Sequence, residues 1–367
     1  MPSPTMDLIT DLNESTLPSL RKNVMMITQE YDDYPLTKYF LERGQKAFTG
    51  TREQVQCRLS NSGTAKFVGP YEVRSVSHKN LIQHYEQDAC PFDDQIIISK
   101  LVNERNAGKE KIVDMLMTQM DDKFENLYNL CEEGMASAPY THNDTQSLWG
   151  LPAMLPYLDD DVVDPIGGYN AMTTRYGDGS TSTLLPYSTI DRSLTKNRRA
   201  RTMAATHGGV FDPVLNDTLR RLLTRSNFKT LTKYKVKMDQ ASGGDRIYTS
   251  HELVDGLESY TESAPDDWKG DSQPSKGMVA IRGIDIQRVA AFGDLTEMPI
   301  FGVRHRFFQA IVPKMENGKK RWMHINDAMQ EPRNPNISYI NIDNSINTVC
   351  LNFQRAGFNC HKPILSS

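Results

Sequence analysis

The 367-residue sequence lacks the compact signatures from which catalysis is usually read. It has no Gly-x-x-x-x-Gly-Lys-Ser/Thr phosphate loop, no Gly-x-Gly-x-x-Gly, no Gly-x-Ser-x-Gly elbow and no His-Glu-x-x-His pair. The five cysteines, Cys57, Cys90, Cys131, Cys350 and Cys360, are odd in number and scattered. With no Cys-x-x-Cys pair they imply neither a zinc ribbon nor a disulfide framework, and a reducing compartment is the simplest reading. No run of about 18 apolar residues occurs, so no membrane-crossing helix is expected. The first residues, Met1-Pro-Ser-Pro-Thr-Met-Asp7, hold no apolar signal region. Charge of neither sign dominates: 42 basic against 46 acidic residues leave −4, which gives no general pull toward nucleic acid or membrane. Hydrophobic residues are also scarce, at 38%. A chain this long and this lean in core-forming residues fits one whose extended segments bury themselves against other subunits.

What is present begins with one long amphipathic stretch, Lys109–Glu133. Ile112, Leu116, Met120, Phe124, Leu127 and Cys131 recur at steps of four and three, one stripe of a 3.6-residue period. The spacing predicts a helix about 37 Å long, with Gly134 just past its end. Its last residues, Glu132-Glu133, oppose the helix dipole, so local propensity does not explain where it stops.

Around that helix the pattern is mostly of strands. Residues 45–85 read as a long β-hairpin: Glu53–Leu59 alternates, Asn61-Ser-Gly63 supplies a turn, and Ala65–Val73 returns. An isolated two-stranded ribbon is barely stable in water, so it must lean on something else. Phe92–Ser99 is a strand, and Asn103–Gly108 a polar break. Ala136–Asp164 is too long for an ordinary connection; Tyr169–Ser193 is a second long loop or a set of small strands. A helix is expected at Asn216–Arg225, a strand at Lys235–Met238, and a surface loop over Asp255–Gly277. Gly277–Val289, Pro299–Val303, Arg306–Val312, Arg321–Ile325, Ser338–Asp343 and, last, Thr348–Phe353 complete a β-rich end. Helices and strands are segregated, which makes the fold class α+β.

Four small clusters hold residue types capable of chemistry. Asp159-Asp-Asp161 with Asp164 has the carboxylates for a hard cation but not the spacing of a calcium loop, so a solvated loop is expected. His207-Gly-Gly209 without a nucleophile elbow reads as a turn, and Cys360-His361 is too small for a tetrahedral zinc site. Lys196–Arg201 is basic without interleaved aromatics, which favours an exposed or inter-subunit ion-pairing segment over nucleic-acid binding. No cofactor is implied.

The order of features resembles the major capsid proteins of tailed phages with the Hong Kong 97-like fold. Asp94–Ser99, Asn106-Ala-Gly108 and Ile112–Leu116 are similar to that family's strand, break and spine helix. Leu148-Trp-Gly-Leu151 and Ile166-Gly-Gly-Tyr169 resemble its glycine-marked loop, Gly277–Ile286 its passage from the axial to the peripheral domain, and Asn347–Arg355 its last strand. The resemblance covers about residues 45–360 and rests on order rather than on any one motif.

By implication, residues 1–45 are an N-terminal arm, 46–83 an extended loop lying across a neighbour, 84–140 a peripheral domain with the spine helix, 141–285 an axial domain, and 286–367 the peripheral return. The implied function is an icosahedral shell of pentamers and hexamers enclosing double-stranded DNA without sequence-specific contacts. The resemblance likewise implies that it is not an enzyme, that it is assembled in host cytoplasm and that it ends in the virion. The implied partners are further copies, a portal, a separate scaffolding protein and a cement or decoration protein, with no membrane. The subunit-interface candidates are Asn61, Ser62, Gly63, Lys66 and Phe67 on the extended loop, Met120 and Phe124 on the spine, and Arg198 and Arg199. Some family members also join a lysine to a neighbour's asparagine; Lys46, Lys66, Asn352 and Asn359 are of the right types, though such a bond is not expected here. The alternative within the same fold is an encapsulin-like cargo shell. The alternative of another class is a metal-dependent enzyme using the aspartates of 159–164.

Overall fold

A computed structural model describes residues 34–43, 46–58, 82–99, 115–159, 163–164, 166–226, 245–263, 280–281, 284–293, 295–314, 324–326 and 328–363. The expected hairpin turn with Asn61, Ser62, Gly63, Lys66 and Phe67, its return strand, the break at 103–108, the strand at 235–238, Asp160 and Asp161 lie outside these residues, as does most of the arm.

The long helix is α2, Met115–Ala136 in its described part; α1, Pro35–Arg43, precedes it. From Met120 onward the stripe faces inward as its spacing predicts. Leu127, Cys131 and Met135 are buried, and Met120 and Phe124 pack beside Leu127. They meet one face of the antiparallel pair formed by β4 (Cys90–Ser99) and β16 (Asn334–Cys350) through Ile96, Ile340 and Ile342. Lys123 on the helix pairs with Asp94 on the strand at 3.4 Å.

The helix end differs from expectation. Gly134 does not follow the helix but lies inside it, where a Cβ would press on Leu148, with Cδ1 at 2.7 Å. Gly150 sits on the helix terminus just as closely: a Cβ would collide with the carbonyl oxygens of Ser137, Gly134 and Met135. The two glycines let the segment Leu148–Leu151 cross the end of α2 in direct contact. Short helix α3 (Leu151–Met154), buried throughout, follows.

Two sheets organise the rest. The first runs β1 (Lys46–Phe48), β13 (Phe308–Pro313), β16 and β14 (His324–Ile325), with β4 and β15 (Met329–Glu331) also paired to β16. Ser338–Asp343 and Thr348–Phe353 are thus not two strands. One strand of 17 residues, about 56 Å long, spans Asn334–Cys350. Its middle, Asn344-Ser-Ile-Asn347, reads as a break, yet these polar residues are buried and Asn347 is fully hydrogen-bonded. Nor is Thr348–Phe353 the last strand. A helical turn, α6 (Phe353–Ala356), leads into β17 (Gly357–His361).

The second sheet has seven strands in the order β10 (Ala280–Ile281), β11 (Ile284–Arg288), β9 (Asp245–Thr249), β12 (Ile300–Arg304), β17, β8 (Thr202–Thr206), β5 (Gly168–Ala171). Strands assigned on resemblance to an axial domain and to a peripheral return are hydrogen-bonded together here, since β12 and β17 lie between β9 and β8. Register puts Ile247, Gly302, Phe358 and Met203 in one row. Helices α4 (Pro213–Arg225) and α5 (His251–Ser263) cover that face through Leu219, Leu222, Leu253 and Leu257. The opposite face, with Tyr248, Phe301 and Val303, joins the core around Trp149 and Phe353.

Helix α4 begins at Pro213, earlier than the apolar pattern indicated, because Asp212 caps it by accepting from Leu215 N at 2.7 Å. Residues 255–263, expected as surface loop, are helical: Leu253, Leu257 and Tyr260 share a face that the acidic residues between them obscure. Tyr169–Ser193 holds β5 and the small strands β6 (Thr174–Arg175) and β7 (Thr181–Ser182).

Gly150→Ala is expected to destabilise the subunit by roughly 3 kcal/mol, the cost of forcing backbone apart in a packed core. Urea denaturation of the unassembled subunit measures this, and a loss under about 0.5 kcal/mol would show that the segment can yield.

Candidate subunit interface

A two-stranded ribbon consists of β2 (Arg52–Arg58) and β3 (Ile82–Asp88), paired antiparallel from Arg52↔Asp88 to Arg58↔Ile82. The described partner of β2 is therefore 82–88 rather than 65–73. The strand Ile-Gln-His-Tyr-Glu-Gln-Asp is too polar to announce itself, with only Tyr85 and Gln87 fully turned inward.

That inward face fastens the ribbon to the body. Tyr85 is fully buried; its hydroxyl donates to Cys350 O at 2.6 Å and accepts from Cys350 N at 2.9 Å. Asn347 Nδ2 donates to Asp88 O at 2.7 Å, while its Oδ1 accepts from Trp149 N at 2.9 Å and Thr348 N at 2.8 Å. Thr348 Oγ1 also donates to Trp149 O. One asparagine thus links β3, β16 and the segment that crosses α2.

On the outward face, the Arg52 guanidinium lies 3.7 Å over the Tyr187 ring and within 3.6 Å of Asp88. Tyr187 has a left-handed backbone, φ 42°, and so does Asn143, φ 61°. The pair supports itself: Asn143 Oδ1 accepts from Tyr187 N and Asn143 O from Tyr187 Oη, both at 2.8 Å. Ser188 Oγ donates to His84 O at 2.8 Å. Two open clefts flank the ribbon base, one of about 440 Å³ with Gln56, Arg199, Asn352 and Arg355, the other of about 640 Å³ with Ile82, His84 and Thr189.

Helix α1 is held to α2 by a carboxylate. Glu132 of α2, 2% exposed, caps the N-terminus of α1 by accepting from Leu36 N at 3.1 Å and from Thr37 N and Oγ1 at 2.7 and 2.9 Å. Leu36 and Phe40 then pack inward, Phe40 edge-on to Phe308 with ring centres 5.1 Å apart. Burial outweighs these hydrogen bonds and raises the Glu132 pKa to about 7.

The candidate residues fall into separate places. Arg198 and Arg199 are exposed in a 3₁₀ turn, Thr195–Ala200, whereas Arg201 folds back to donate to Arg192 O at 2.8 Å and Ser193 O at 2.6 Å. Met120 and Phe124 are partly covered by the chain's own β4–β16 pair. Of the groups of interest for covalent joining, Lys46 pairs with Glu53 at 2.5 Å, Asn352 is exposed, and Asn359 is fully buried with Nδ2 on Leu155 O.

Where described, residues of the small clusters make hydrogen bonds within the chain. Asp164 Oδ1 accepts from Ile166 N and Gly167 N, and Oδ2 from Asn170, in a side-chain-closed turn. His207 Nε2 donates to Met298 O and its Nδ1 accepts from Gly209 N. His361 Nδ1 donates to Lys362 O and Nε2 accepts from Leu158 N; burial lowers its pKa to about 4. Burial also raises the Cys57 and Cys90 thiols to about 11 and 12, so both stay protonated at neutral pH. Among the described residues no group of three His, Cys, Asp or Glu side chains could hold a metal ion.

No protein-family model matches the chain, and no curated protein matches it in sequence. Its backbone is similar to solved capsid structures. The cyanophage A-1(L) capsid asymmetric unit superposes with a TM-score of 0.60 over 95% of this chain and 97% of that one, at 11% identity. The capsid of a native GTA particle gives 0.57 over 95% of both chains at 8% identity, and that of an empty GTA particle 0.56 over 95% of both at 9%. The chain has the Hong Kong 97-like fold of phage capsid subunits, the fold its sequence resembles.

Two measurements test these anchors. Tyr85→Phe, which removes both hydrogen bonds to the Cys350 main chain, should cost about 2 kcal/mol in chemical denaturation; an unchanged midpoint would mean the ribbon base is held by packing alone. For Glu132 the folded pKa lies above its usual 4.5. The folded chain therefore binds more protons between pH 4.5 and 7, and this contribution to stability is lost as pH rises through that window. The stability of the wild type relative to Glu132→Gln should fall by about 3 kcal/mol from pH 4.5 to 8. A difference that is flat, or that grows with pH, would rule this out.

Proposed function

We propose that this chain is a major capsid protein that self-assembles as pentamers and hexamers into an icosahedral shell around viral double-stranded DNA. The observation that carries the proposal is the two-way coverage of the superposition, 95% of this chain on 97% of a cyanophage capsid subunit. Almost the whole of each chain is used, with no large inserted domain left over for another task.

The chain's own chemistry agrees. The described thiols are buried, His207 and His361 are held by hydrogen bonds, and Asp164 closes a turn. A ribbon whose base is riveted to the body by Tyr85 and Asn347 suits an arm that carries load between subunits. Head-to-tail contacts that close in fives and sixes would generate the capsomers. In this reading residues 1–45 are the arm, 46–83 the extended loop, and Asn61, Ser62, Gly63, Lys66 and Phe67 contact a neighbour. A separate scaffolding protein and a portal take part in assembly, a cement protein adds to the finished shell, and assembly occurs in the host cytoplasm before incorporation in the virion. The same fold could enclose cargo instead, as in an encapsulin; no observation here favours that reading.

Negative-stain microscopy of the protein, produced alone and together with its scaffolding partner, should show rings or closed shells. Shells from infected cells should protect DNA from nuclease. A strictly monomeric protein under both conditions would overturn the proposal, and closed shells filled with an enzyme instead of DNA would transfer it to the cargo reading.

A further inference from the structure

Two elements on the seven-stranded sheet expose side chains of opposite charge. Helix α5 leans on β11, near the β10 edge. Its buried side is Leu253 and Leu257, and its exposed side presents Glu252, Asp255 and Glu258 at intervals of three. Toward the other edge, the 3₁₀ turn Thr195–Ala200 feeds β8 and exposes Lys196, Arg198 and Arg199. Helix α6 packs against this turn, with Gln354 Nε2 on Arg198 O at 3.4 Å, and adds the exposed Arg355. Arg199 and Arg355 line the same 440 Å³ cleft, together with Gln56, Asn352 and Gln354. Strands β11 and β8 are four positions apart in the sheet, about 19 Å.

We propose that the acidic face of α5 on one copy of this chain docks at the basic cleft formed by the turn 195–200 and α6 on the next copy. This rests on the assembly reading above and specifies one contact within it. The partner follows from charge complementarity: each copy carries both halves of the contact, at opposite ends of one rigid sheet. A head-to-tail arrangement uses both halves of every copy and leaves none over in a closed ring. Such pairs steer encounter and fix register more than they add affinity, and the contact weakens with salt. A nucleic-acid phosphate would also satisfy the arginines, but it would leave the acidic face of α5 without a role.

The test reverses each half. Lys196→Glu with Arg198→Glu, or Glu252→Lys with Asp255→Lys, should each lower the yield of rings and shells about tenfold by setting like charges together. Subunit melting temperature should be unchanged in both. A chain with all four substitutions should recover most of the wild-type yield. The two reversed chains mixed in equal amounts give a sharper outcome. Alternating copies satisfy every contact in a six-membered ring, but a five-membered ring must contain one like-charged contact. Hexamers should therefore return while pentamers do not.

The proposal is overturned if either reversed chain assembles as the wild type does. It is also overturned if the exchanged chain is no better than its parents, or if the basic reversal changes only the DNA content of normal shells. Should a double substitution lower the melting temperature, the single changes Arg198→Glu and Asp255→Lys carry the same test. A wild-type chain that forms no rings defeats the capsid reading itself, an outcome distinct from normal wild-type shells with indifferent variants.

Discussion

The arrangement depends on a close crossing. The segment Leu148–Leu151 lies across the end of α2 with no room for a side chain on Gly134 or Gly150. Trp149, in the middle of that segment, is fixed at its N–H by Asn347 and at its carbonyl by Thr348, both on β16. The same Asn347 holds Asp88 at the base of the ribbon. Helix, long strand and ribbon therefore share one joint, and their relative positions are set by main-chain contacts and one amide. A joint of this kind does not tolerate small adjustments, because the atoms involved are backbone or fully hydrogen-bonded.

The elements with a strong period were legible from the sequence. The stripe of α2 appears as a buried ridge over Ile96 and Ile342, and Val55 and Cys57 face inward as alternation requires. Elements whose burial is polar were not. The strand Ile82–Asp88 buries Gln87, β16 buries Asn344, Ser345 and Asn347, and α5 hides its leucines among acidic residues. In each case long-range hydrogen bonds or tertiary packing replaced the local pattern, and a sequence window cannot see a partner 259 positions away such as Asp88 for Asn347. Gly134 was misplaced for the converse reason: its role is a close approach by Leu148, not a change of backbone direction.

The acidic end of α2 was the one local anomaly that the structure explains outright. Glu132 opposes its own helix dipole but caps the start of α1, so the carboxylate serves a different helix from the one it belongs to. Its cost is burial without a basic partner among its hydrogen-bond donors, which is why its protonation is poised near neutrality. The interface candidates are legible in a weaker sense. Arg198 and Arg199 stand in a segment read from the sequence as basic, while Asp255 and Glu258 fell in a stretch read as surface loop and lie instead on one face of α5.

The strand order of the larger sheet also dictates a sequence in time. Strand β17, residues Gly357–His361, is inserted between β12 and β8, which precede it by about 50 and 150 residues respectively. Until those five residues emerge from the ribosome, β8 and β12 have no common neighbour and the sheet remains in two parts. Contacts this distant in sequence form slowly. The helix α5 and the basic turn, which stand on the two parts, reach their final separation only then. A chain still being synthesised therefore cannot hold α5 and the basic turn at their final spacing.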